Sequence, residues 1–107
     1  MEVIYNRFIP FKGYKCINLF GVLFVREGCV MSDTDYNHEA IHTAQMKELF
    51  YIGFYILYLT EWVWYLVRLR NTNAAYHAIS FEREAYAHEN EPEYLKTRKM
   101  FNQYKTA

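Results

Sequence analysis

Leu49 to Leu69 reads LFYIGFYILYLTEWVWYLVRL, and this stretch constrains the chain more than any other. It holds one acid, Glu61, one base, Arg68, and one weak breaker, Gly53. About 21 residues of helix cover about 30 Å, the thickness of a bilayer core. Trp62 and Trp64 would suit an interface, and Arg68 and Arg70 would suit cytoplasmic anchors. Against a span, Glu61 would lie inside the apolar slab, where a lone carboxylate is costly. The stretch therefore has two readings, a single membrane span or a buried, membrane-leaning core helix, and we expect the second.

The rest of the composition is that of one small domain over residues 1–107. Twelve basic and twelve acidic side chains cancel, so nothing in the overall charge asks for nucleic acid or an anionic membrane. Eleven Tyr, eight Phe and two Trp supply large apolar areas, which help a short chain make a core. Cys16 and Cys29 are too few for a disulfide framework and read as free thiols. The first residues lack a basic region followed by an apolar run, so no signal peptide is expected. The expected location is the cytoplasm, with membrane contact through 49–69 held open.

Residues 1–31 read as β. Pro10 limits a first strand to Val3–Ile9. Lys15–Arg26 (KCINLFGVLFVR) is apolar, aromatic and β-branched, and reads as a strand between the turn signals Gly13 and Gly28. Gly21 inside it suggests a bulge or a close backbone approach. Ser32 with Asp35 three residues on fits a capping box, so a helix should run from about Asp33 to Leu49. Beyond Asn71-Thr72-Asn73 a connector is expected. Ser80 then caps a helix over about Phe81–Glu89, and Pro92 opens a last helix over about Pro92–Tyr104. Lys96, Arg98, Lys99 and Lys105 on that helix read as a solvated face.

The helix from Asp33 contains His38-Glu39-Ala40-Ile41-His42, an H-E-x-x-H string. Residues i and i+4 lie one turn apart on one face, so two imidazoles can bind one zinc from the same side. The carboxylate after the first His can reach a zinc-activated water as general base. A third protein ligand is needed, and three acids compete. In Ser80-Phe81-Glu82-Arg83-Glu84-Ala85-Tyr86, Glu82, Ala85 and Tyr86 share a face, while Glu84 points about 160° away. Glu61 can be the ligand or can accept from the free ring N–H of a zinc-bound His.

His38, Glu39 and His42, with Glu82-Arg83-Glu84-Ala85 on a later helix, resemble the zincin metallopeptidases of the gluzincin type. Those enzymes take their third ligand from a Glu that often begins an E-x-x-A-D or E-x-E-A-D string. His42-Thr43-Ala44-Gln45 is similar to the H-x-x-Q continuation of small bacterial zincin-like domains, in which an edge strand precedes the motif helix. The likeness covers roughly residues 15–86. It implies an α+β fold, with an edge strand at about 15–26 packed on three or four helices. It implies a Zn2+ held by His38, His42 and Glu82, Glu39 as catalytic base, and a peptide or protein substrate. Tyr86 stands where the family has Asp, so the group that orients the first His is open, with Glu61 a candidate. The separation of Glu61 from His42 equals that in an aminopeptidase-like branch, but Tyr58-Leu59-Thr60-Glu61-Trp62 does not resemble that branch's context. Tyr76, Tyr86, His77 and His88 are candidate donors to a developing oxyanion, though a packing role suits each.

The two readings of Leu49–Leu69 now bear on the site. A straight span would put His38 and His42 on one side of a membrane and Glu82 on the other. The leading expectation is a zinc metallopeptidase. The alternatives are a zinc-stabilised binding or accessory module without turnover, and a single-span membrane protein in which the motif is coincidental.

Overall fold

The structure is a computed structural model and describes residues 2–9 and 14–104. Pro10, Gly13 and Lys105, used in the sequence reading, lie outside the described residues. The fold is α+β: three strands, β1 (Glu2–Asn6), β2 (Cys16–Leu19) and β3 (Val22–Arg26), and five helices. The helices are α1 (Asp33–Glu48), α2 (Ile52–Leu69), α3 (Thr72–Ala78), α4 (Ser80–His88) and α5 (Tyr94–Thr97), followed by a single 3-10 turn at Asn102–Tyr104.

The sheet order is β1-β3-β2. β3 pairs parallel with β1 (Val3 opposite Leu23) and antiparallel with β2 (Asn18 opposite Leu23). Lys15–Arg26 is therefore a hairpin and not one strand. Phe20 and Gly21 form its two-residue turn, with φ of 54° and 86°. Two consecutive positive φ values match the tight hairpin turns whose twist suits the flanking strands. Gly21 is there for its conformation, and makes no bulge. β1 stops at Asn6, earlier than Ile9, because the Asn6 Oδ1 accepts from the backbone N–H of Phe8 (2.9 Å) and Ile9 (2.7 Å) and turns the chain. Leu23 and Val25 are fully buried and form one core cluster with Met31, against Val3, Cys16, Cys29 and Tyr36. Both cysteines are free and half-buried.

α1 starts on the expected capping box. Asp35 N–H donates to Ser32 Oγ (3.1 Å), and Ser32 N–H donates to the Asp35 carboxylate (2.9 Å). Its end differs from expectation, because Leu49–Leu69 is not one helix. α1 ends at Glu48, Phe50 and Tyr51 take left-handed φ of 54° and 62°, and α2 leaves at 110° to α1. Gly53 permits so sharp a turn, since a Cβ there would stand 3.3 Å from the Leu49 Cβ. Among the described residues no single helix is long and apolar enough to cross a membrane. α2 packs its inner face into a second core of Met46, Phe54, Ile79 and Phe81, edged by Tyr55, Tyr58 and Trp62. The expected connector after Asn71 is a helix, α3, capped by Asn71 Oδ1 accepting from Ala74 N–H (2.9 Å). α3 and α4 then carry the chain back to α1.

Candidate metal centre

α1 presents His38 and His42 one turn apart on a buried face, and α4 brings Glu82 to them. All three are more than nine-tenths buried. Glu82 Oε1 lies 3.2 Å from His38 Nε2 and 3.0 Å from His42 Nε2, and the two Nε2 atoms are 3.2 Å apart. Zinc bonds of about 2.0–2.1 Å in a tetrahedron separate ligand atoms by about 3.3 Å. The observed triangle is within a few tenths of an ångström of that, and its atoms are two imidazole nitrogens and a carboxylate oxygen. The donor set thus fits a tetrahedral cation with one open position.

The outer atoms of each candidate ligand are held as well. His38 Nδ1 donates to Glu89 Oε2 (2.7 Å), and Tyr58 Oη donates to Glu82 Oε2 (2.5 Å). His42 Nδ1 pairs with Gln45 Oε1 (2.8 Å). The amide of Gln45 donates both hydrogens elsewhere, to Phe81 O (3.0 Å) and Glu84 Oε1 (2.9 Å). Its oxygen must then face His42, so His42 Nδ1 carries a proton and Nε2 is the atom turned toward the centre. Gln45→Ala is expected to weaken zinc binding by roughly 10–100-fold without removing a ligand, measured by competition with a chromogenic chelator.

The other acids are engaged differently. Glu61 receives Ser80 N–H and Ser80 Oγ–H, both at 2.8 Å, and so ties α2 to the start of α4. It neither joins the triangle nor orients a histidine, and Ser80 is the first residue of α4, not its side-chain cap. Glu84 faces the opposite side of α4, as the helical geometry requires, and binds Arg98. The last helix is reduced to α5 and the 3-10 turn because Arg98 turns inward. Its side chain is 5% exposed and binds Glu84, Glu48 and Gln103, so the solvated reading fails at this residue, while Lys96 does stay in solvent.

Glu39 lies beside the triangle on the wall of a cavity of about 710 Å³, together with His42, Glu82 and Tyr76. Burial raises the pKa of its carboxyl, and His42 and His38 only partly offset this. Burial alone would lower His42, but the Glu82 carboxylate outweighs it and pushes the imidazole up to about 9. Burial would raise Glu82, yet the same histidines and Tyr58 hold it well below the usual carboxylate range. The apolar part of the cavity comes from Leu19, Met46, Phe54, Tyr55 and Trp62. β2 is an edge strand of the sheet and borders the cavity through Ile17 and Leu19. Asn18 pins it there by donating to Glu39 O (3.1 Å) and Thr43 Oγ1 (3.0 Å) of α1.

Of the candidate oxyanion donors, Tyr76 is on the cavity wall and its hydroxyl is 3.2 Å from that of Tyr86. The Tyr86 ring packs edge-on against His38. His77 packs against both tyrosines, and His88 stacks on Tyr94 and pairs with Glu91. Glu89 and Tyr58 are the site residues that sequence reasoning missed. Glu89 had a signal, because it follows Glu82 by two turns on the same face of α4; Tyr58 had none. No family model matches the chain, and no curated protein and no solved structure matches it.

Proposed function

We propose that the chain is a zinc-dependent metallopeptidase of the zincin kind, with His38, His42 and Glu82 as ligands and Glu39 as general base. The observation that carries this reading is the near-equilateral triangle of the two Nε2 atoms and Glu82 Oε1, with the half-buried Glu39 carboxylate beside it on the cavity wall. Bound zinc supplies Lewis acidity, which polarises a peptide carbonyl and makes water nucleophilic near neutral pH. Glu39 takes the proton as water attacks and passes it to the leaving amine, and its raised pKa suits both steps. Tyr76 donates to the oxyanion. β2, an edge strand that borders the cavity, lies alongside an extended peptide and helps hold the scissile bond over the triangle.

Glu39→Gln tests the reading, because the amide cannot accept the proton but fills the same space. Hydrolysis of a quenched-fluorescence peptide library is expected to fall by roughly 10²–10⁴-fold while zinc content stays at the wild-type level. Equal, non-zero hydrolysis by both proteins would sink the assignment of Glu39. Zinc uptake without hydrolysis in the wild type favours the second reading, a zinc-stabilised module without turnover.

A further inference from the structure

The outer face of α2 has no partner among the described residues. Ile52, Ile56, Leu59, Val63 and Val67 are 66%, 60%, 60%, 47% and 71% exposed. Their spacing of four, three, four and four residues keeps them within an arc of about 80° along the whole helix. Phe50, just before α2, is 86% exposed, and Phe20 at the tip of the β2–β3 hairpin is 58% exposed. The Phe20 ring lies 5.1 Å from that of Tyr55, so both phenylalanines stand at the same end of α2. Together with Trp64 this surface is on the order of 1,000 Å² by ordinary side-chain areas, beyond what monomers usually leave contiguous.

We propose that this face binds an anionic phospholipid surface, with α2 lying in the headgroup plane, Phe20 and Phe50 dipping into the acyl region at one end, and Arg68 and Arg70 meeting phosphates at the other. Four observations select lipid over a second copy of the chain. The only acid of α2, Glu61, is turned inward to Ser80, so the outer face carries no negative charge. The one hydroxyl near the apolar arc, Thr60, donates back to Ile56 O at 2.7 Å and needs no outside partner. A protein interface of this size would normally use several hydrogen bonds, and the five aliphatic side chains of the arc supply none. Phe20 and Phe50 both sit at φ 54°, an uncommon conformation for an aromatic residue, and project from turns, which a fluid acyl layer accommodates and a flat helix pair does not. The Arg68 guanidinium lies 4.0 Å from the centre of the Trp64 ring, which pairs a base with an interfacial aromatic.

This inference is independent of the metal. It adds that the candidate centre works close to headgroups, because α2 supplies Phe54, Tyr55 and Trp62 to the cavity from its inner side. The test is flotation of the full chain with vesicles of phosphatidylcholine alone and of phosphatidylcholine mixed with phosphatidylglycerol. The wild type is expected to float, more so with the anionic lipid. Leu59→Glu should lower partitioning by roughly tenfold or more at an unchanged unfolding temperature. The double substitution Arg68→Glu/Arg70→Glu should lower only the anionic preference, by at least roughly fivefold per charge removed. If Leu59→Glu fails to fold, Ile56→Glu makes the same comparison one turn away. Wild-type protein that stays in solution with both vesicle types overturns the proposal, as does a dimer by light scattering that Leu59→Glu dissociates without any flotation.

Discussion

Glu82→Ala is expected to take the zinc content of the purified chain from about one ion per molecule to near zero. Removing one of three protein ligands should weaken binding by roughly two to three orders of magnitude, measured by chelator competition. Two features make the effect large. Glu82 Oε1 closes the triangle at 3.2 Å and 3.0 Å from the two imidazoles. Neither of the other two acids that compete in the sequence can take its place, since Glu61 is held by Ser80 and Glu84 by Arg98. Glu61→Ala should leave zinc content unchanged and cost stability through the lost tie between α2 and α4. Full zinc occupancy in Glu82→Ala would refute the ligand assignment and the mechanism built on it.

The same centre gives a pH dependence with a definite sign. With its pKa pushed up to about 9, the His42 imidazole is protonated at neutral pH beside the Glu82 carboxylate, and a metal ion must displace that proton. Zinc affinity should therefore rise with pH up to about 9, by as much as roughly tenfold per unit where one proton is released. Calorimetric titration at pH 7 in buffers of different ionisation enthalpy should show proton release. An enthalpy that is the same in every buffer would mean that the imidazole is already neutral.

What could be read from the sequence was local. Ser32 and Asp35 lie three residues apart and cap α1 as expected. Helical periodicity puts His38 and His42 on one face and turns Glu84 away from Glu82, while the choice of Glu82 among three acids leans also on the gluzincin resemblance. The misreadings were decided by distant contacts or by weak turn signals. Phe20-Gly21 lacks the Asn-Gly or Asp-Gly pair that usually marks a two-residue hairpin, so β2 and β3 looked like one strand. Phe50 and Tyr51 are poor residues for left-handed backbone, yet the chain breaks there, because burying Phe54 against Met46, Ile79 and Phe81 rewards the bend. Arg98 meets Glu84 and Glu48 far away in sequence, and no short-range pattern announces such contacts.

Arg98→Ala should be the most destabilising single substitution away from the candidate metal centre, at about 3–5 kcal/mol. The Arg98 guanidinium reaches Glu84 at 2.5 Å and 3.0 Å, Glu48 at 2.9 Å and Gln103 at 2.9 Å, and the Glu84 side chain has no solvent exposure. Its loss leaves two carboxylates without their cation in a site that water does not reach, which is the costly way to break a buried pair. At about 4–8 °C per kcal/mol, the unfolding temperature should fall by at least roughly 12 °C. The pH profile should also change. Burial would raise Glu84, but hydrogen bonds from Arg98, Tyr94 and Gln45 hold its pKa below the ordinary value. In the wild type the Glu84 contribution is thus complete above the unfolded carboxylate pKa and is lost as pH falls through the lower folded one. Without Arg98 the buried carboxyl is raised instead, so acidification relieves the variant while it weakens the wild type. Arg98→Met combined with Glu84→Gln removes both charges and should recover much of the loss. Thermal unfolding of the three proteins across pH reads all of this. A loss below about 1 kcal/mol for Arg98→Ala, the value of an exposed ion pair, would mean that the 98–104 segment does not dock on α1 and α4 in solution.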